Sequence, residues 1–128
     1  MEQGFDKRLA AISAADTGAL QGGRRGVEKE ALRVTRDGYL STLRHPDGLG
    51  SALTNRYITT DFSEALLEFV TPAFATTWEA LQCLCDIHQF TYANLADEML
   101  WPASMPCLIP EDEGIPLAKY GSSNVGRM

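Results

Sequence analysis

Apolar residues recur at helical spacing in two stretches of the chain, one near the start and one in the second half. The first stretch covers residues 5–20, and Gly22-Gly23 stops it. Its apolar positions, separated by alanine-rich filler, are Phe5, Leu9, Ile12 and Leu20. The pattern predicts a helix that contributes packing, and no side chain in it suggests chemistry.

The second helical stretch covers residues 77–100 and has a clearer start signal. Thr76 and Glu79 have the spacing of a capping box, in which each side chain hydrogen-bonds the other residue's backbone N–H. Trp101-Pro102 is predicted to end the helix. The predicted apolar stripe consists of Leu81, Leu84, Cys85, His88, Tyr92, Leu95 and Met99. A histidine on such a stripe is more typical of a hydrogen-bonded core residue than of a metal ligand.

Between the two helices the pattern changes to strands and tight turns. Residues 24–34 are predicted as a strand, and Asp37-Gly38 is a strong hairpin signal that leads into a return strand over residues 39–43. Residues 44–50 have the composition of a loop. His45 lies in this loop without Cys, His or carboxylate neighbours at ligand spacing, so we predict a surface histidine.

The first strand places two carboxylates side by side. Since side chains alternate across a strand, Glu28 and Glu30 are predicted to project from one face about 7 Å apart. Leu32 and Val34 continue the same face, which therefore runs from charged to apolar, as the wall of a pocket does. Adjacent carboxylates repel each other. A solvated polar face, an ion-paired face and a site for a hard divalent cation all remain open.

A second antiparallel pair is predicted over residues 57–60 and 65–71, joined by a bend at residues 61–63. Residues 64–69 also suit a short helix by propensity, but the β-branched flanks and Pro72 favour the strand. The predicted strand places Glu64, Leu66, Glu68 and Val70 on one face, and Ala65, Leu67 and Phe69 on the other.

Glu68 is then a carboxylate among apolar neighbours, which is costly unless the charge is compensated. An ion pair with Arg33 on the neighbouring strand and a bound cation both remain open as the compensation. Asp61, at the predicted bend, could reach the same place.

Composition sets outer limits on the class of protein. The chain has 128 residues, the size of one ordinary domain, and its 45% hydrophobic and 22% charged residues are typical of a soluble globular protein. A net charge of −6 argues against a nucleic-acid partner. The sequence shows neither a span-length apolar run nor a signal-peptide pattern, so we expect no membrane association. Three cysteines do not make a disulfide framework, and a reducing cytoplasm is the simplest interpretation.

Arg25–Val34 closely resembles the opening motif of the proteobacterial glutamate–cysteine ligases, also called γ-glutamylcysteine synthetases. The resemblance covers nearly the whole chain from residue 24, and its motifs are long and ordered. The further motifs, in chain order, are His45-Pro46, Leu49–Thr54, Ile58–Phe69, Trp101-Pro102, Ser104–Cys107 and Tyr120–Arg127.

The resemblance implies an α+β fold like that of glutamine synthetase, with a curved, mainly antiparallel sheet and outer helices. It also implies an ATP-dependent ligase that joins the γ-carboxylate of L-glutamate to the amine of L-cysteine, the first step of glutathione biosynthesis. The cofactor would be Mg²⁺ or Mn²⁺, with ATP as co-substrate. A different carboxylate–amine ligase of the same fold and a non-catalytic binding domain remain as alternatives.

By matched position, the metal-binding acids of the family fall on Glu28, Glu30, Asp61 and Glu68, and Phe62 falls at the wall of the cysteine pocket. The family's chain is several times longer, and its other site residues lie downstream. We therefore expect residues 1–128 to be the N-terminal part of a single catalytic domain, inactive when isolated.

Overall fold

The computed structural model describes residues 2–15, 18, 21–109, 111 and 114–119. Its elements in chain order are helix α1 (Glu2–Ala14), strand β1 (Glu28–Val34), a 3-10 turn (Asp47–Leu49), strands β2 (Ile58–Thr60) and β3 (Leu66–Val70), helix α2 (Thr77–Asn94) and strand β4 (Met99–Leu100). The motif Tyr120–Arg127, part of the family resemblance, lies outside the described residues. None of the described helices is both long and apolar enough to cross a bilayer.

The four strands form one antiparallel sheet in the order β2-β3-β1-β4. Strand β3 pairs with β1 over five residues and with β2 over three. The predicted bend at residues 61–63 joins β2 to β3, and residues 66–70 are strand, not helix. The second antiparallel pair predicted from the sequence is therefore confirmed.

The first predicted hairpin forms only in part. A turn closes as the Gly38 N–H donates to the Thr35 carbonyl at 3.0 Å, and Gly38 has φ of 83°, which glycine adopts without strain. Beyond it, Leu40 forms a single bridge to Val34, and no continuous strand follows over residues 39–43. Strands β3 and β4 occupy the two sides of β1, so the returning chain reaches only the end of that strand.

Helix α2 begins as predicted. The Thr76 hydroxyl accepts the Glu79 N–H at 3.2 Å, and the Glu79 carboxylate accepts the Thr76 N–H at 3.0 Å. The predicted end is wrong, because the helix stops at Asn94 and Ala96 adopts a left-handed φ of 51°. The chain then turns so that residues 99–100 can pair with β1 as β4.

The buried face of α2 also differs from the predicted stripe. Its fully buried residues are the small or medium-sized Ala80, Ile87 and Thr91, whereas Leu81 and Tyr92 are about half exposed. The sheet surface beneath the helix already carries large side chains such as Phe69, so small residues allow close approach. Leu84, His88 and Leu95 of the predicted stripe do pack toward the core, whereas Leu81, Cys85 and Tyr92 do not, so spacing alone placed the stripe only partly on the buried side.

Helix α1 ends at Ala14, before the predicted end at residue 20, and its described apolar residues are not packed as expected; Leu20 lies outside the described residues. Phe5, Leu9 and Ile12 each expose more than half of their surface. The prediction that this stripe packs is therefore wrong for the described residues. A periodic pattern identifies an apolar face but does not supply the surface that would cover it.

The two faces of the sheet have different environments. Ala31 and Arg33 of β1 and Leu67 and Phe69 of β3 lie buried on the face covered by α2. The predicted alternation is thus confirmed within β1 and β3, and it leaves Glu28, Glu30 and Glu68 on the opposite face. Glu64, which was predicted on that face as well, precedes β3 and is buried. The main core cluster between sheet and helix consists of Ala31, Leu49, Ile58, Leu67, Phe69, Ile87, Leu95 and Leu100.

A fully buried arginine connects the sheet to the loops around it. Arg33 is 0% exposed, and its Nη1 donates to both carboxylate oxygens of Glu98, at 2.9 and 2.6 Å. Its Nη2 donates to the carbonyls of Leu43 and Glu64, at 2.7 and 3.0 Å. The ion pair that the sequence left open between Arg33 and Glu68 is therefore not formed.

Replacing Glu98 with alanine is expected to destabilise the protein by about 3–5 kcal/mol, because it leaves the Arg33 guanidinium buried without its counter-charge. The matched control is the neighbouring Asp97→Ala, whose ion pair with Arg36 is exposed and screened by solvent. Urea denaturation of the purified variants measures the free energy of unfolding of each. Equal stability of the two variants would contradict this role of the buried pair.

Candidate functional site

Four carboxylates share the sheet face opposite α2. Glu28 and Glu30 project from β1, and Glu30 lies directly across the strand pair from Glu68 of β3. Residues directly opposite in an antiparallel pair have Cβ atoms about 5 Å apart. Asp61 follows the end of β2 and reaches the same region. We call Glu28, Glu30, Asp61 and Glu68 the acidic face.

These acids influence one another electrostatically. The pKa of Glu68 is raised above its ordinary value, first by burial and then by the negative charges of Glu28, Asp61 and Glu30. Each neighbour disfavours the ionised form of Glu68, and among the described residues no cationic side chain offsets this effect. The structure therefore brings all four acids predicted from the sequence into one electrostatic neighbourhood.

The acidic face is not a closed set of metal ligands. Within the described ranges, no three His, Cys, Asp or Glu side chains are arranged to hold one metal ion. Mg²⁺ usually takes one or two protein carboxylates and completes its octahedral shell with substrate phosphates and water. Carboxylate oxygens that repel one another fit such a cation chemically, because its positive charge would offset the repulsion between Glu68 and the other three acids.

Phe62 lies next to Asp61 in the turn between β2 and β3. Its side chain is 72% exposed, and its backbone carbonyl accepts the Ala118 N–H at 3.1 Å. An exposed aromatic ring beside a group of carboxylates can contact an apolar part of a ligand whose charged part lies at the acids. The exposed ring is therefore accessible to a ligand at this border of the acidic face.

The predictions for both histidines need correction. His45 is half-buried, not on the surface, and neither ring nitrogen has a hydrogen-bond partner among the described residues. Burial first, and then the charge of Arg33, lowers the pKa of His45, while Glu64, the Gly50 carbonyl and Asp47 act weakly in the opposite direction. The loop packs inward because its backbone binds Glu64.

His88 occupies the packed side of α2, as predicted, but its Nε2 is buried without a partner in the described part of the chain. The imidazole instead contacts the Phe69 ring, with the two centroids 5.0 Å apart. Burial first, and then the positive charge of Lys29, lowers the pKa of His88. The ring thus packs as a neutral aromatic group, on the side of the sheet away from the acidic face.

Sequence reasoning missed the network around Glu64. Its carboxylate, 5% exposed as part of the whole residue, accepts the backbone N–H groups of His45 at 3.0 Å and Lys119 at 2.6 Å. These contacts span 19 and 55 residues, so no local spacing could indicate them. A polar cavity of about 200 Å³ adjoins this carboxylate. A separate apolar cavity of about 390 Å³ lies between β2 and α2, away from the acids.

Replacing Glu68 with glutamine is expected to stabilise the metal-free protein at neutral pH. A raised folded-state pKa means that the folded protein binds the proton more readily than the unfolded chain, so wild-type stability falls as the pH rises through the ordinary and then the raised pKa. The gain is about 0.5 kcal/mol after solvent screening. Thermal denaturation with EDTA at several pH values measures it.

The gain should vanish at pH values below the ordinary carboxyl range, where wild-type Glu68 is protonated. Glu111→Gln removes the same formal charge from an exposed carboxyl that is not among the groups raising the pKa of Glu68, and it serves as the control. A destabilised Glu68→Gln variant at neutral pH would contradict the repulsion described above.

The family model described as glutamate–cysteine ligase matches residues 9–128. This chain belongs to the glutamate–cysteine ligase family. A glutamate–cysteine ligase of Alcanivorax borkumensis is 52% identical over 125 residues, covering 97% of this chain and 24% of the relative. One from Yersinia pseudotuberculosis is 57% identical over 109 residues, covering 85% of this chain and 21% of the relative. The chain thus spans about a quarter of the length of these family members.

Solved structures agree with the family assignment. The glutamate–cysteine ligase of Francisella tularensis in complex with AMP superposes with a TM-score of 0.77 at 45% identity, over 81% of this chain and 21% of that chain. A bifunctional glutathione synthetase from Pasteurella multocida gives a TM-score of 0.74 at 38% identity, over 77% of this chain and 14% of that chain. These matches confirm the predicted glutamine synthetase-like α+β class, with its mainly antiparallel sheet.

Proposed function

We propose that this chain is the N-terminal part of an ATP-dependent glutamate–cysteine ligase. The enzyme would join the γ-carboxylate of L-glutamate to the amine of L-cysteine, the first step of glutathione biosynthesis. Residues 1–128 would supply part of a single catalytic domain, and the remainder of the site would come from sequence beyond them. The observation that carries the proposal is the acidic face in a chain of this family, where burial first, and then the charges of Glu28, Asp61 and Glu30, raise the pKa of Glu68.

The reaction would proceed in two steps, phosphorylation of the glutamate γ-carboxylate and then attack by the amine of cysteine. An oxygen of the glutamate γ-carboxylate attacks the γ-phosphorus of ATP, ADP leaves, and a γ-glutamyl phosphate forms. The amine of cysteine then attacks the acyl carbon, loses a proton and expels inorganic phosphate. Phosphoryl transfer depends mainly on positioning and on neutralising crowded phosphate oxygens.

In this proposal the acidic face holds Mg²⁺, or Mn²⁺, together with the phosphates of ATP. The bound cation supplies neutralisation of the negative charge on the transferred phosphoryl group. Glu28, Glu30 and Glu68 would contribute negatively charged oxygen ligands from a sheet, which holds geometry better than a free loop, and Asp61 would contribute one from the turn after β2. Phe62 would form part of the wall that receives cysteine.

The substrates L-glutamate, L-cysteine and ATP are the only partners the proposal requires, without nucleic acid or membrane. The described side chains are consistent with a reducing compartment, because Cys83, Cys85 and Cys107 are all free thiols. We propose the cytoplasm as the location.

Phosphate release by the complete enzyme encoded with this sequence tests the function. With ATP, glutamate and Mg²⁺ present, cysteine is expected to give the highest kcat/KM in a panel of amino-acid acceptors. A preference for another acceptor would indicate a different carboxylate–amine ligase of the same fold. No turnover and no Mg²⁺ or Mn²⁺ binding by the folded protein would indicate a non-catalytic binding domain instead.

A further inference from the structure

We infer that Glu64 is a positioning residue that fixes the turn carrying Asp61 and Phe62 at the border of the acidic face. The inference deepens the proposed function and rests on it, because that function gives these two residues their contacts with metal and cysteine. The Glu64 carboxylate is buried where two loops meet, and its bonds run to the backbone of those loops.

The bonds of the Glu64 carboxylate join segments that are distant in sequence. Oε1 accepts the His45 N–H from the loop before β2, and Oε2 accepts the Lys119 N–H from the last described segment. The backbone carbonyl of the same residue accepts Nη2 of the buried Arg33. One residue therefore connects β1, the 44–50 loop and the 115–119 segment to the turn between β2 and β3.

The environment of the Glu64 carboxylate suggests that it positions the turn more than it stabilises the fold. Glu64 is almost fully buried, and within the described residues no Lys or Arg forms an ion pair with it. A buried charge held by N–H donors is costly, and one physical reason to retain it is that it specifies a single arrangement of the groups around it. Charge-assisted bonds to backbone N–H groups are short and directional, which suits such a role.

The turn is fixed from the same side by three further bonds. The Glu64 N–H and the Ser63 hydroxyl both donate to the Pro116 carbonyl, at 2.8 and 2.9 Å, and the Ala118 N–H donates to the Phe62 carbonyl. The 116–119 segment thus runs along the turn in the manner of a short strand. The Glu64 carboxylate closes this arrangement at its Lys119 end and anchors it to the His45 loop.

Without the Glu64 carboxylate, the Lys119 end of the 116–119 segment would lose its bond, and the turn between β2 and β3 could shift relative to the sheet. Glu30 and Glu68 would keep their positions, since the β1–β3 register does not depend on the turn. Asp61 and Phe62 would become less well placed. Loss of Glu64 is therefore expected to weaken cation binding and cysteine binding without removing any residue that touches either ligand.

The test compares Glu64→Gln and Glu64→Asp with wild type in the complete enzyme. Glutamine keeps the size but turns an NH₂ group toward one of the two N–H donors, and aspartate keeps the charge but is one methylene shorter. We expect Glu64→Gln to raise the Mn²⁺ dissociation constant, measured by electron paramagnetic resonance, by about tenfold. Replacing a residue that orients metal ligands typically weakens metal binding by about that factor or more. The KM for cysteine should rise in parallel, with the KM for ATP changing less.

Glu98→Gln is the matched control, because it also neutralises a buried, hydrogen-bonded carboxylate of the same network but does not bond the turn. It should lower the melting temperature while leaving the Mn²⁺ dissociation constant and the cysteine KM unchanged. If Glu64→Gln behaves in the same way as this control, Glu64 is only a structural residue and the inference is wrong. Should Glu64→Gln not fold, the milder Glu64→Asp decides by the same two measurements.

The Mn²⁺ dissociation constant and the KM for cysteine together separate this inference from the proposed function. A wild-type enzyme that binds Mn²⁺ but does not use cysteine would refute the proposed substrate, while the Mn²⁺ comparison would still decide whether Glu64 positions Asp61. A wild-type enzyme that uses cysteine, with unchanged constants in both Glu64 variants, would refute the inference alone.

Discussion

Replacing Glu28 or Glu68 with glutamine in the complete enzyme is expected to lower the rate of cysteine-dependent phosphate release by at least about 100-fold, the loss typical of removing one preorganised source of transition-state charge stabilisation. Glutamine preserves the shape of each side chain but removes the negative charge that attracts the cation. A phosphate-release assay over a series of Mg²⁺ concentrations measures the loss. Very high Mg²⁺ should restore part of the rate, because the defect lies in metal affinity.

Glu111→Gln is the control for this prediction, since it changes the same formal charge at an exposed site. Near-normal turnover of Glu28→Gln and Glu68→Gln at ordinary Mg²⁺ would contradict the metal assignment. The stability measurement adds a second, independent criterion. Glu68→Gln should be slightly more stable than wild type without metal and yet inactive, so that loss of activity cannot be attributed to unfolding.

A residue whose removal improves stability and abolishes activity is characteristic of a functional site. The pKa of Glu68 is raised because burial and three other carboxylates act on one group, which is unfavourable for folding. Among the described residues, no cationic side chain lowers the pKa of Glu68 in return. Bound metal and nucleotide would compensate the cost, which is the physical link between the electrostatics of the acidic face and the proposed reaction.

The sequence was sufficient to predict the two strands that carry Glu28, Glu30 and Glu68. Alternation with a period of two is local, and it correctly assigned the faces within β1 and within β3. That the three glutamates share one face depends on the pairing of β1 with β3, which alternation does not predict. The capping box at Thr76 was equally reliable, because both of its bonds are made within four residues. The position of Asp61 followed from the predicted bend between β2 and β3.

Features that depend on distant contacts could not be predicted in this way. Arg33 selects Glu98, 65 residues away, over the nearer Glu68, because it lies on the opposite face of the sheet from that carboxylate. The same limitation explains why His45 was wrongly predicted on the surface, because its backbone N–H binds the buried Glu64, 19 residues away. It also explains the end of α2, where pairing of residues 99–100 with β1 overrides a helical pattern that continues in the sequence.

Phe62→Ala is expected to raise the KM for cysteine by about 10- to 100-fold, which corresponds to the roughly 1.5–3 kcal/mol gained by burying a phenylalanine side chain. The ring is 72% exposed beside Asp61, so the apolar contact that it can make is still available to a ligand. The thiol of cysteine is a soft, polarisable group that packs well against the edge of an aromatic ring. The KM values for glutamate and ATP should change little.

Phe5→Ala provides a closely matched control, because Phe5 on α1 is the same residue type and is 67% exposed. Its removal should leave every kinetic constant unchanged. Initial-rate measurements with each substrate varied in turn distinguish the outcomes. A cysteine KM equal to that of wild type would remove Phe62 from the cysteine site, whereas a parallel rise in all three KM values would mean that the ring supports the turn and does not contact substrate. Only a selective rise for cysteine agrees with an aromatic wall facing the acceptor amino acid.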